Sequence, residues 1–540
     1  MKSTIEFEIK ESTPRIANNK HWQYCVGSGQ AVLALRTDYT EQLRFAQNEL
    51  GIERVRFHGI FDESMEAVQG ADSYLNIGRA KHFKNDNFLN IGVAYDNVLK
   101  AGMKPFVELS FMPGRLGKKR KARSEISGIN NSMPKDDGAW QDFIKAFVRF
   151  LIHRYGRDEV VSWQFEVWNE PNIFVFFKGK QKDYFHLYEL TARAIKEVEP
   201  AIKVGGPSTA LGAWLPEFIK FTQTNNVPLD FVSTHYYPGE PLGLGLMFKY
   251  MKSMLADSVT KMNKLKSGRV IDAGRCFMND QTEDPKEMEK GLMGKQTAIA
   301  RKAVDSLQGS LQGNSLQGNL LQGSLPLYLT EWNLSATITS YSNDTRKVAA
   351  FLVKSIAEMD RNVTGSSVWA FSDIFDEFML LPDEFSGGFG LLTVSGIPKP
   401  QFHALKLMSR TGERKYDLPV TNAEIEIAVY ESDTEKQLFV FRHRMKQVDE
   451  PPMDYTVSFE LPAAPTAVTI EKIDEDHCNP LKLWEAMGKP ILNKAEAADI
   501  RDKSALTPEA VAGNYEGGAL KLTGALGVND VHCYRIRMTG

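Results

Sequence analysis

Two glutamates in the sequence end apolar runs and are flanked by tryptophan and asparagine. Glu170 lies in VWNEPN, residues 167–172, and Glu331 lies in LTEWN, residues 329–333. An isolated glutamate is usually solvated surface, but these two would project from strand ends into one pocket. Cleavage of a glycosidic bond needs such a pair, because one carboxyl group donates a proton to the leaving oxygen while the other is ionised. The two motifs therefore predict a catalytic pair of carboxyl groups.

The elements that would position these glutamates alternate along most of the chain. From about residue 23 to 410, short β-branched or apolar runs alternate with amphipathic helical stretches, a pattern typical of parallel βα units. Eight runs predict strands, at residues 23–29, 54–59, 104–111, 161–169, 202–207, 230–237, 325–333 and 366–372. Eight strand-helix units predict an α/β fold, the (β/α)8 TIM barrel, whose catalytic groups lie at the carboxyl ends of the strands.

Polar and aromatic side chains recur at the predicted strand ends. In the predicted order, Glu170 ends the fourth strand and Glu331 ends the seventh. Because the carboxyl ends of all strands in a barrel meet at one face, we expect these side chains to lie close together. The other strand-end residues are His58, Glu108, Asn169, His235, Tyr237 and Trp369.

The domain organisation follows from a change of pattern near residue 411. Beyond it, strands follow one another without intervening helices, which predicts a C-terminal β-sandwich. The N-terminal segment alternates polar and apolar residues and predicts an extra strand of that sandwich. We therefore expect residues 1–14 to join the sandwich, residues 15–410 to form the barrel and residues 411–540 to form the sandwich. A low-complexity LQG stretch at 306–324 predicts an inserted loop on the face opposite the catalytic one.

Composition excludes several classes of protein. The 540 residues are 42% hydrophobic and 25% charged with a net charge of −3, so we expect no nucleic-acid or membrane partner. No run approaches the about 18 apolar residues of a membrane span, and the first residues lack the apolar core of a secretory signal. Four scattered cysteines, Cys25, Cys276, Cys478 and Cys533, indicate neither a zinc site nor a disulfide framework. We expect a cytoplasmic protein with no metal.

Many short motifs along the chain, taken in order, have counterparts in one protein family. They begin at Val26 (VGSGQAVLALR), Arg56 (RFHGIFDE), Pro105 (PFVELSFMPG), Phe165 (FEVWNEPN), Val204 (VGGPST), Phe231 (FVSTHYYP), Leu327 (LYLTEWN), Trp369 (WAFSDIFDE), Gly387 (GGFGLL), Gly396 (GIPKP) and Ile473 (IDEDHCN). Through them the chain resembles the glycoside hydrolases of family 39, and within that family the β-xylosidases. The resemblance spans nearly the whole chain.

The resemblance implies roles for particular residues. Glu170 would be the general acid/base, Glu331 the nucleophile, and Asn169 a hydrogen-bond partner of the sugar 2-hydroxyl. The first sugar subsite would be lined by His58, His235, Tyr237, Trp369 and Glu377. No cofactor is implied. For Glu108 a structural role and a sugar contact stay equally open, whereas Arg56 and Asp373 are expected to be scaffold ion partners.

Three functions remain in competition. The leading one is a retaining exo-glycosidase that removes xylose from the non-reducing ends of short xylo-oligosaccharides. A second is a glycosidase of the same family acting on another sugar, such as an α-L-iduronide, although no matched strand-end residue is a lysine or arginine that would hold a uronic acid. A third is a catalytically silent carbohydrate-binding protein. The roles of a basic run at 115–123 and of a loop at 243–293 are undecided, which leaves the specificity open. The oligomeric state is also open, with a homo-oligomer as one outcome.

Overall fold

A computed structural model describes residues 4–68, 86–119, 129–237, 325–359, 363–377, 380–418, 424–444 and 450–539. The LQG stretch 306–324, the loop 243–293 and residues 120–123 of the basic run lie outside these ranges. Within them, no helix is both long enough and apolar enough to cross a bilayer.

Eight parallel strands close into a barrel. Two strands precede it, β1 (Ile5–Ile9) and β2 (Arg15–Ala17). The barrel consists of β3 (Cys25–Gln30), β4 (Arg54–His58), β5 (Lys104–Leu109), β6 (Gln164–Val167), β7 (Lys203–Ala210), β8 (Phe231–Tyr236), β9 (Leu327–Trp332) and β10 (Gly365–Val368). Each strand pairs in parallel with the next, and β10 pairs with β3. The predicted (β/α)8 TIM barrel is confirmed.

Helices surround the barrel and begin and end at sequence signals. The longest in the described ranges, Asp137–Tyr155, starts where the Asp136 side chain accepts from Ala139 N at 2.7 Å, and stops at Gly156. Its residues Phe143, Phe147 and Leu151, spaced by four, form part of its buried face. The other helices of the barrel region in the described ranges are Thr37–Leu50, Leu89–Lys100, Arg157–Val161, Gln181–Val198, Leu215–Thr224, Arg346–Met359 and Pro400–Ser409.

Two sheets pack face to face as the C-terminal sandwich. Its strands are β11 (Arg414–Tyr416), β12 (Glu426–Glu431), β13 (Glu435–Phe441), β14 (Met453–Glu460), β15 (Ala467–Ile473), β16 (Glu509–Ala510), β17 (Asn514–Glu516), β18 (Ala519–Leu526) and β19 (Val531–Arg537). One sheet has the order β1-β14-β18-β17, and the other has the order β16-β15-β19-β13-β12-β11-β2. Apolar side chains from both sheets, including Val457 and Leu438, fill the space between them.

Both N-terminal strands belong to these sheets. The strand β1 pairs in parallel with β14, and β2 pairs with β11 in the other sheet. The expected boundary at residue 15 assigned β2 to the barrel. It lies in the sandwich instead, where Arg15 Nε is 3.1 Å from Glu431 Oε1 on β12.

The sandwich also carries helices that the sequence analysis did not expect. Helices Pro480–Ala486 and Lys494–Lys503 lie between β15 and β16. Trp484 packs against Phe385 of the barrel segment that follows β10, with ring centroids 5.4 Å apart. These two helices thus support the segment that contains Phe385, which lies on the catalytic side of the barrel.

Candidate active site

The two glutamates predicted to act together lie at the carboxyl-end mouth of the barrel. Glu331 is on β9, and Glu170 follows the end of β6 at Val167 by three residues. One carboxyl oxygen of Glu170 and one of Glu331 lie within 4.8 Å of each other. Their residues are only 5% and 7% exposed. Closure of the barrel therefore brings two carboxyl groups that are distant in sequence into one buried pocket.

A tight backbone turn sets the direction of Glu170. Trp168 and Glu170 have φ values of 74° and 41°, in the left-handed region that costs a non-glycine residue about 1–2 kcal/mol. Ser208 on β7 stabilises this turn, since its hydroxyl donates to Trp168 O at 2.8 Å and its carbonyl accepts from Glu170 N at 3.0 Å. The neighbouring strand thus holds Glu170 in place.

Glu170 is surrounded so that it retains a proton. Burial raises the pKa of its carboxyl group well above the ordinary value, and the negative charges of Glu331 and Glu377 raise it further. A carboxyl group that is neutral near pH 7 is able to act as an acid.

His235 orients that carboxyl group. Burial, with the nearby cations Arg56 and His58, lowers the pKa of His235 well below its ordinary value, so the ring is neutral. Arg56 Nη2 lies 3.3 Å from His235 Nε2, and because a guanidinium can only donate, Nε2 accepts. The hydrogen is then on Nδ1, which donates to Glu170 Oε1 at 3.0 Å. The other oxygen of Glu170 is left to carry its proton.

Glu331 has more neighbours that favour its charged form than Glu170 has. Burial raises the pKa of its carboxyl group, but three neighbours act to lower it. The Tyr237 hydroxyl donates to Oε1 at 2.5 Å, Arg56 Nη1 lies 3.4 Å from Oε2, and His58 Nε2 lies 3.9 Å from Oε2. Each contact favours the charged form, so within the pair Glu331 is the anion and Glu170 holds the proton.

Arg56 on β4 is the central cation of this network. Its fully buried guanidinium lies 2.8 Å from Glu108 Oε2 and 2.7 Å from Glu166 Oε2, in addition to its contact with Glu331. It also donates to Asn169 Oδ1 at 3.0 Å. Arg56 was expected to be a scaffold ion partner, and it also lies against Glu331 of the predicted catalytic pair.

Loss of this cation is expected to destabilise the fold strongly. Arg56→Met leaves three buried carboxylates without their guanidinium, and removal of one partner of a buried ion pair costs about 3–5 kcal/mol. Burial alone would raise the pKa of Glu108, but Arg56 and His58 outweigh it and lower that pKa. Its contribution to stability is therefore complete above its unfolded-state pKa and is lost as pH falls through the folded value. Denaturant unfolding should show the loss at pH 7 and a smaller one in acid.

A surface ion pair supplies the control for this prediction. Arg154 Nη2 lies 2.6 Å from Asp96 Oδ2, but both side chains are about one third exposed. Arg154→Met is expected to change the free energy of unfolding by about 1 kcal/mol or less. If Arg56→Met were no more destabilising than this control, the network would contribute little to stability.

His58 links the arginine network to Glu377. Its Nδ1 lies 2.6 Å from Glu108 Oε2, and its Nε2 lies 3.8 Å from Glu377 Oε1. Burial alone would lower the pKa of His58, but Glu108 outweighs it and raises that pKa. Burial raises the pKa of Glu377 to about 7. Since Glu108 is held by both Arg56 and His58, its contacts are those of a structural residue.

The residues predicted to bind sugar all contact this cluster. The Trp369 ring centroid lies 4.7 Å from that of His58, and the other contacts are given above. Within the described ranges, Asn169 Nδ2 and His58 Nε2 are buried without a hydrogen-bond partner. Buried polar atoms are normally satisfied, so these two atoms are available to sugar hydroxyls. The six residues are Asn169, His58, His235, Tyr237, Trp369 and Glu377.

Trp369 lies against β3 because residue 27 has no side chain. A Cβ atom at Gly27 would lie 2.3 Å from Trp369 Cε3, which leaves no room for any other residue. Phe375 packs edge-on against the same indole, with ring centroids 5.8 Å apart and an interplanar angle of 90°. The indole is therefore fixed on two sides.

A buried lysine holds the segment that follows Trp369. Lys399 Nζ lies 2.5 Å from Asp344 Oδ1 and 2.6 Å from Asp373 Oδ2, and Asp373 Oδ1 accepts from Gly390 N at 2.7 Å. Asp373 is thus the scaffold ion partner that the sequence analysis expected, and it stabilises the segment that carries Glu377.

Glu166 is a member of the network that sequence reasoning missed. It is fully buried on β6, where it accepts from Thr330 Oγ1 at 2.8 Å and from Arg56 Nε at 2.7 Å. The signal in the sequence was a charged residue inside an apolar strand, which must find a buried partner.

Glu170, His235 and Glu331 also satisfy the spacing of a metal site. One ligand atom from each lies within 4.8 Å of the others. Arg56, however, already lies 3.4 Å from Glu331 and 3.3 Å from His235, so a metal cation would face a guanidinium. The donor set is better explained as a hydrogen-bonded acid/base pair.

Comparison with known proteins agrees with this geometry. Residues 5–267 and 317–516 match the family described as glycosyl hydrolases family 39. The chain is 34% identical to a β-xylosidase from Caldicellulosiruptor saccharolyticus over 92% of this chain and 90% of the relative. It is 30% identical to a β-xylosidase from Geobacillus stearothermophilus over 89% of this chain and 85% of the relative. A crystal structure of the GH39 enzyme from Xanthomonas axonopodis pv. citri matches with a TM-score of 0.74 and 25% identity, covering 100% of this chain and 98% of that chain. The protein belongs to glycosyl hydrolase family 39.

Proposed function

We propose that this protein is a retaining exo-β-D-xylosidase that releases xylose from the non-reducing ends of short xylo-oligosaccharides. The observation that carries the mechanism is the approach of Glu170 and Glu331 to within 4.8 Å. Retaining glycosidases hold their carboxyl groups roughly 5 to 5.5 Å apart, whereas inverting enzymes leave roughly 6.5 to 9.5 Å for a water molecule. The proposal that xylose is the released sugar is supported by the two relatives named β-xylosidases.

In the first step Glu331 attacks the anomeric carbon while Glu170 donates its proton to the glycosidic oxygen. A xylosyl-enzyme bond to Glu331 forms, and the bond to the leaving sugar breaks. Formation of this ester removes the negative charge of Glu331, which is one cause of the raised pKa of Glu170. Glu170 is therefore protonated before the step and a stable carboxylate after it.

In the second step the ionised Glu170 removes a proton from the water that attacks the anomeric carbon. The bond to Glu331 breaks, and Glu331 leaves as a carboxylate that Tyr237 and Arg56 stabilise. Two inversions at one carbon yield xylose with retained configuration.

Charge in the pocket favours a neutral sugar over a uronic acid. Among the described residues, Arg56 and His58 are the cations against the carboxylates at the base of the site. Three carboxylates already contact Arg56, and Glu108 already contacts His58. Glu170 and Glu377 add two further carboxyl groups to the pocket. The carboxylate of an iduronide would meet like charges here, which is unfavourable in a buried site. The intact carboxyl pair likewise argues against a silent sugar-binding protein.

A panel of 4-nitrophenyl glycosides tests the proposal. We expect kcat/KM for the β-D-xyloside to exceed that for the β-D-glucoside and the α-L-iduronide by at least about tenfold. NMR during hydrolysis should show β-xylose before the α-anomer. Initial α-xylose would contradict the retaining mechanism, preference for the iduronide would favour the second function, and no turnover of any glycoside would favour a binding protein.

The proposal also covers the cellular compartment of the enzyme and its oligomeric state. Cys25, Cys478 and Cys533 are buried free thiols, which suits a reducing compartment. We place the enzyme in the cytoplasm, where it would act on small imported oligosaccharides, and its association into a homo-oligomer stays a prediction.

A further inference from the structure

The sandwich contains a cleft that the two catalytic steps do not use. Its volume is about 530 Å³, and its lining residues include members of β15, β16 and β19 of one sheet and of β18 of the other. Pockets that bind small molecules have volumes of about 300–1,000 Å³. The cleft therefore lies between the two sheets and is large enough for a sugar.

The side chains that face the space between the sheets change from apolar to polar at this cleft. Ile470 on β15 pairs with Tyr534 on β19, and both belong to the core between the sheets. The pair two residues further along is Lys472 and His532. Because side chains alternate between the two faces of a strand, this polar pair faces the same space. Polar groups at such positions need hydrogen-bond partners, which water or a ligand in the cleft would supply.

Small residues leave the space open. Gly524 on β18 lies opposite Tyr455 on β14, and a Cβ atom at Gly524 would lie 2.5 Å from the Tyr455 hydroxyl oxygen. Ala510 and Ala512 also line the cleft and add little volume to its wall. A larger side chain at residue 524 would displace the tyrosine hydroxyl, so the glycine is required for the hydrogen bonds that this hydroxyl makes.

Three polar groups meet at the floor of the cleft. The Tyr455 hydroxyl oxygen lies 2.8 Å from His532 Nδ1 and 2.7 Å from the Tyr534 hydroxyl oxygen. His532 is only 6% exposed, and burial lowers its pKa to about 4, so near pH 7 the ring is neutral and carries one N–H. The three groups thus hold three hydrogens but share two hydrogen bonds, which leaves one donor over. Among the described residues, none is a hydrogen-bond partner of His532 Nε2, so the floor is able to bind a further polar group.

The charged groups of the rim are paired with one another. Lys472 Nζ lies 2.7 Å from Glu509 Oε2. His477 Nδ1 lies 2.7 Å from Asp474 Oδ1, and its Nε2 lies 3.2 Å from Glu509 Oε1. An anion would meet two carboxylates here, and a cation would meet the lysine. A neutral ligand with several hydroxyl groups fits better, because each hydroxyl is able both to donate and to accept.

We propose that this cleft is a second binding site, separate from the catalytic pocket, for a neutral saccharide. One sugar hydroxyl would complete the hydrogen bonds of the floor at His532, and others would contact the paired charges of the rim. The choice of a xylo-oligosaccharide as the saccharide rests on the proposed xylosidase function, whereas the site itself does not.

Hydrogen–deuterium exchange of the full chain measures the cleft and the catalytic pocket separately. Glu331→Ala lacks the proposed nucleophile, so it should bind xylotriose without hydrolysing it. We expect millimolar xylotriose to slow exchange by at least about twofold in peptides that contain β16, and also in peptides that contain the Glu170 turn. Glycerol at the same concentration should slow neither, because its three hydroxyl groups do not span the floor and the rim.

Variants of the cleft are then made in this inactive protein. Ala510→Trp fills the cleft and should remove the slowing at β16 while the slowing at the Glu170 turn persists. The matched control is Ala467→Trp, which places the same side chain at an exposed position of β15 outside the lining residues and should retain both effects. His532→Phe removes the ring nitrogens but retains a ring, and it should also lose only the effect at β16. Persistent slowing at the Glu170 turn would show that each variant is folded.

Two results would overturn the inference. One is slowing at the Glu170 turn without slowing at β16 before any cleft variant is made. The other is slowing at β16 that survives Ala510→Trp or that glycerol produces equally. The proposed function is tested separately, by turnover in the wild type: slowing at β16 together with no hydrolysis of any xyloside would refute the xylosidase and support the second site.

Discussion

Replacing Glu331 with alanine is expected to lower kcat for every β-xyloside by about 10⁴-fold or more. Without its carboxylate no xylosyl-enzyme forms, and the space left at the anomeric carbon holds no nucleophile. The loss should not depend on the leaving group, because departure of every leaving group is coupled to attack by the same carboxylate. Steady-state kinetics with aryl xylosides of different leaving-group pKa would measure it. Azide is expected to restore some turnover and to yield the α-xylosyl azide, since it attacks from the side of Glu331.

The fold should survive this substitution. Arg56 retains Glu108 and Glu166 as partners when Glu331 is removed. A suitable control is Glu384→Ala, which removes an equally buried carboxyl group that accepts from Ser395 N at 3.1 Å, with little effect on kcat expected. Substantial residual activity in a folded Glu331→Ala protein would assign the nucleophile to another residue.

Glu170→Ala should separate substrates by how much they need a proton. Hydrolysis of xylobiose, whose leaving oxygen is strongly basic, is expected to fall by about 10²- to 10⁴-fold. A dinitrophenyl xyloside needs no proton to depart, so its xylosyl-enzyme should still form and then accumulate, which lowers both kcat and KM. Azide should raise kcat and yield the β-xylosyl azide, because it replaces the water that Glu170 activates.

The pH profile distinguishes the acid from the nucleophile. In the wild type, kcat/KM should decline at low pH, where Glu331 becomes protonated, and at high pH, where Glu170 loses its proton. Burial and Glu331 raise the pKa of Glu170, so the upper limb should lie well above the ordinary range of a carboxyl group. With the dinitrophenyl xyloside, Glu170→Ala should lose this upper limb. If both glutamate variants respond alike to leaving-group pKa, the division of roles is wrong.

The residues alone were enough to predict the barrel and the face on which Glu170 and Glu331 lie. Strand runs of regular spacing predict parallel βα units, and a barrel brings all carboxyl strand ends to one face, so Glu170 and Glu331 were expected at the same mouth. The sandwich was equally predictable, but its helices were not, even though Asn493 and Glu496 form a capping box at the start of one of them. Two short helices of 7 and 10 residues carry too weak a periodic pattern to stand out among strands.

Which charges meet depends on contacts across the folded barrel. Arg56 contacts carboxylates from three other strands, β5, β6 and β9, and one of them, Glu166, had no motif to mark it. The placement of β2 likewise depends on a residue distant in sequence, Glu431 in the sandwich. Hydrophobic period and turn chemistry are local and can be recognised along the chain, whereas pKa values and the partners of buried charges depend on distances between residues that only the closed barrel and sandwich bring together.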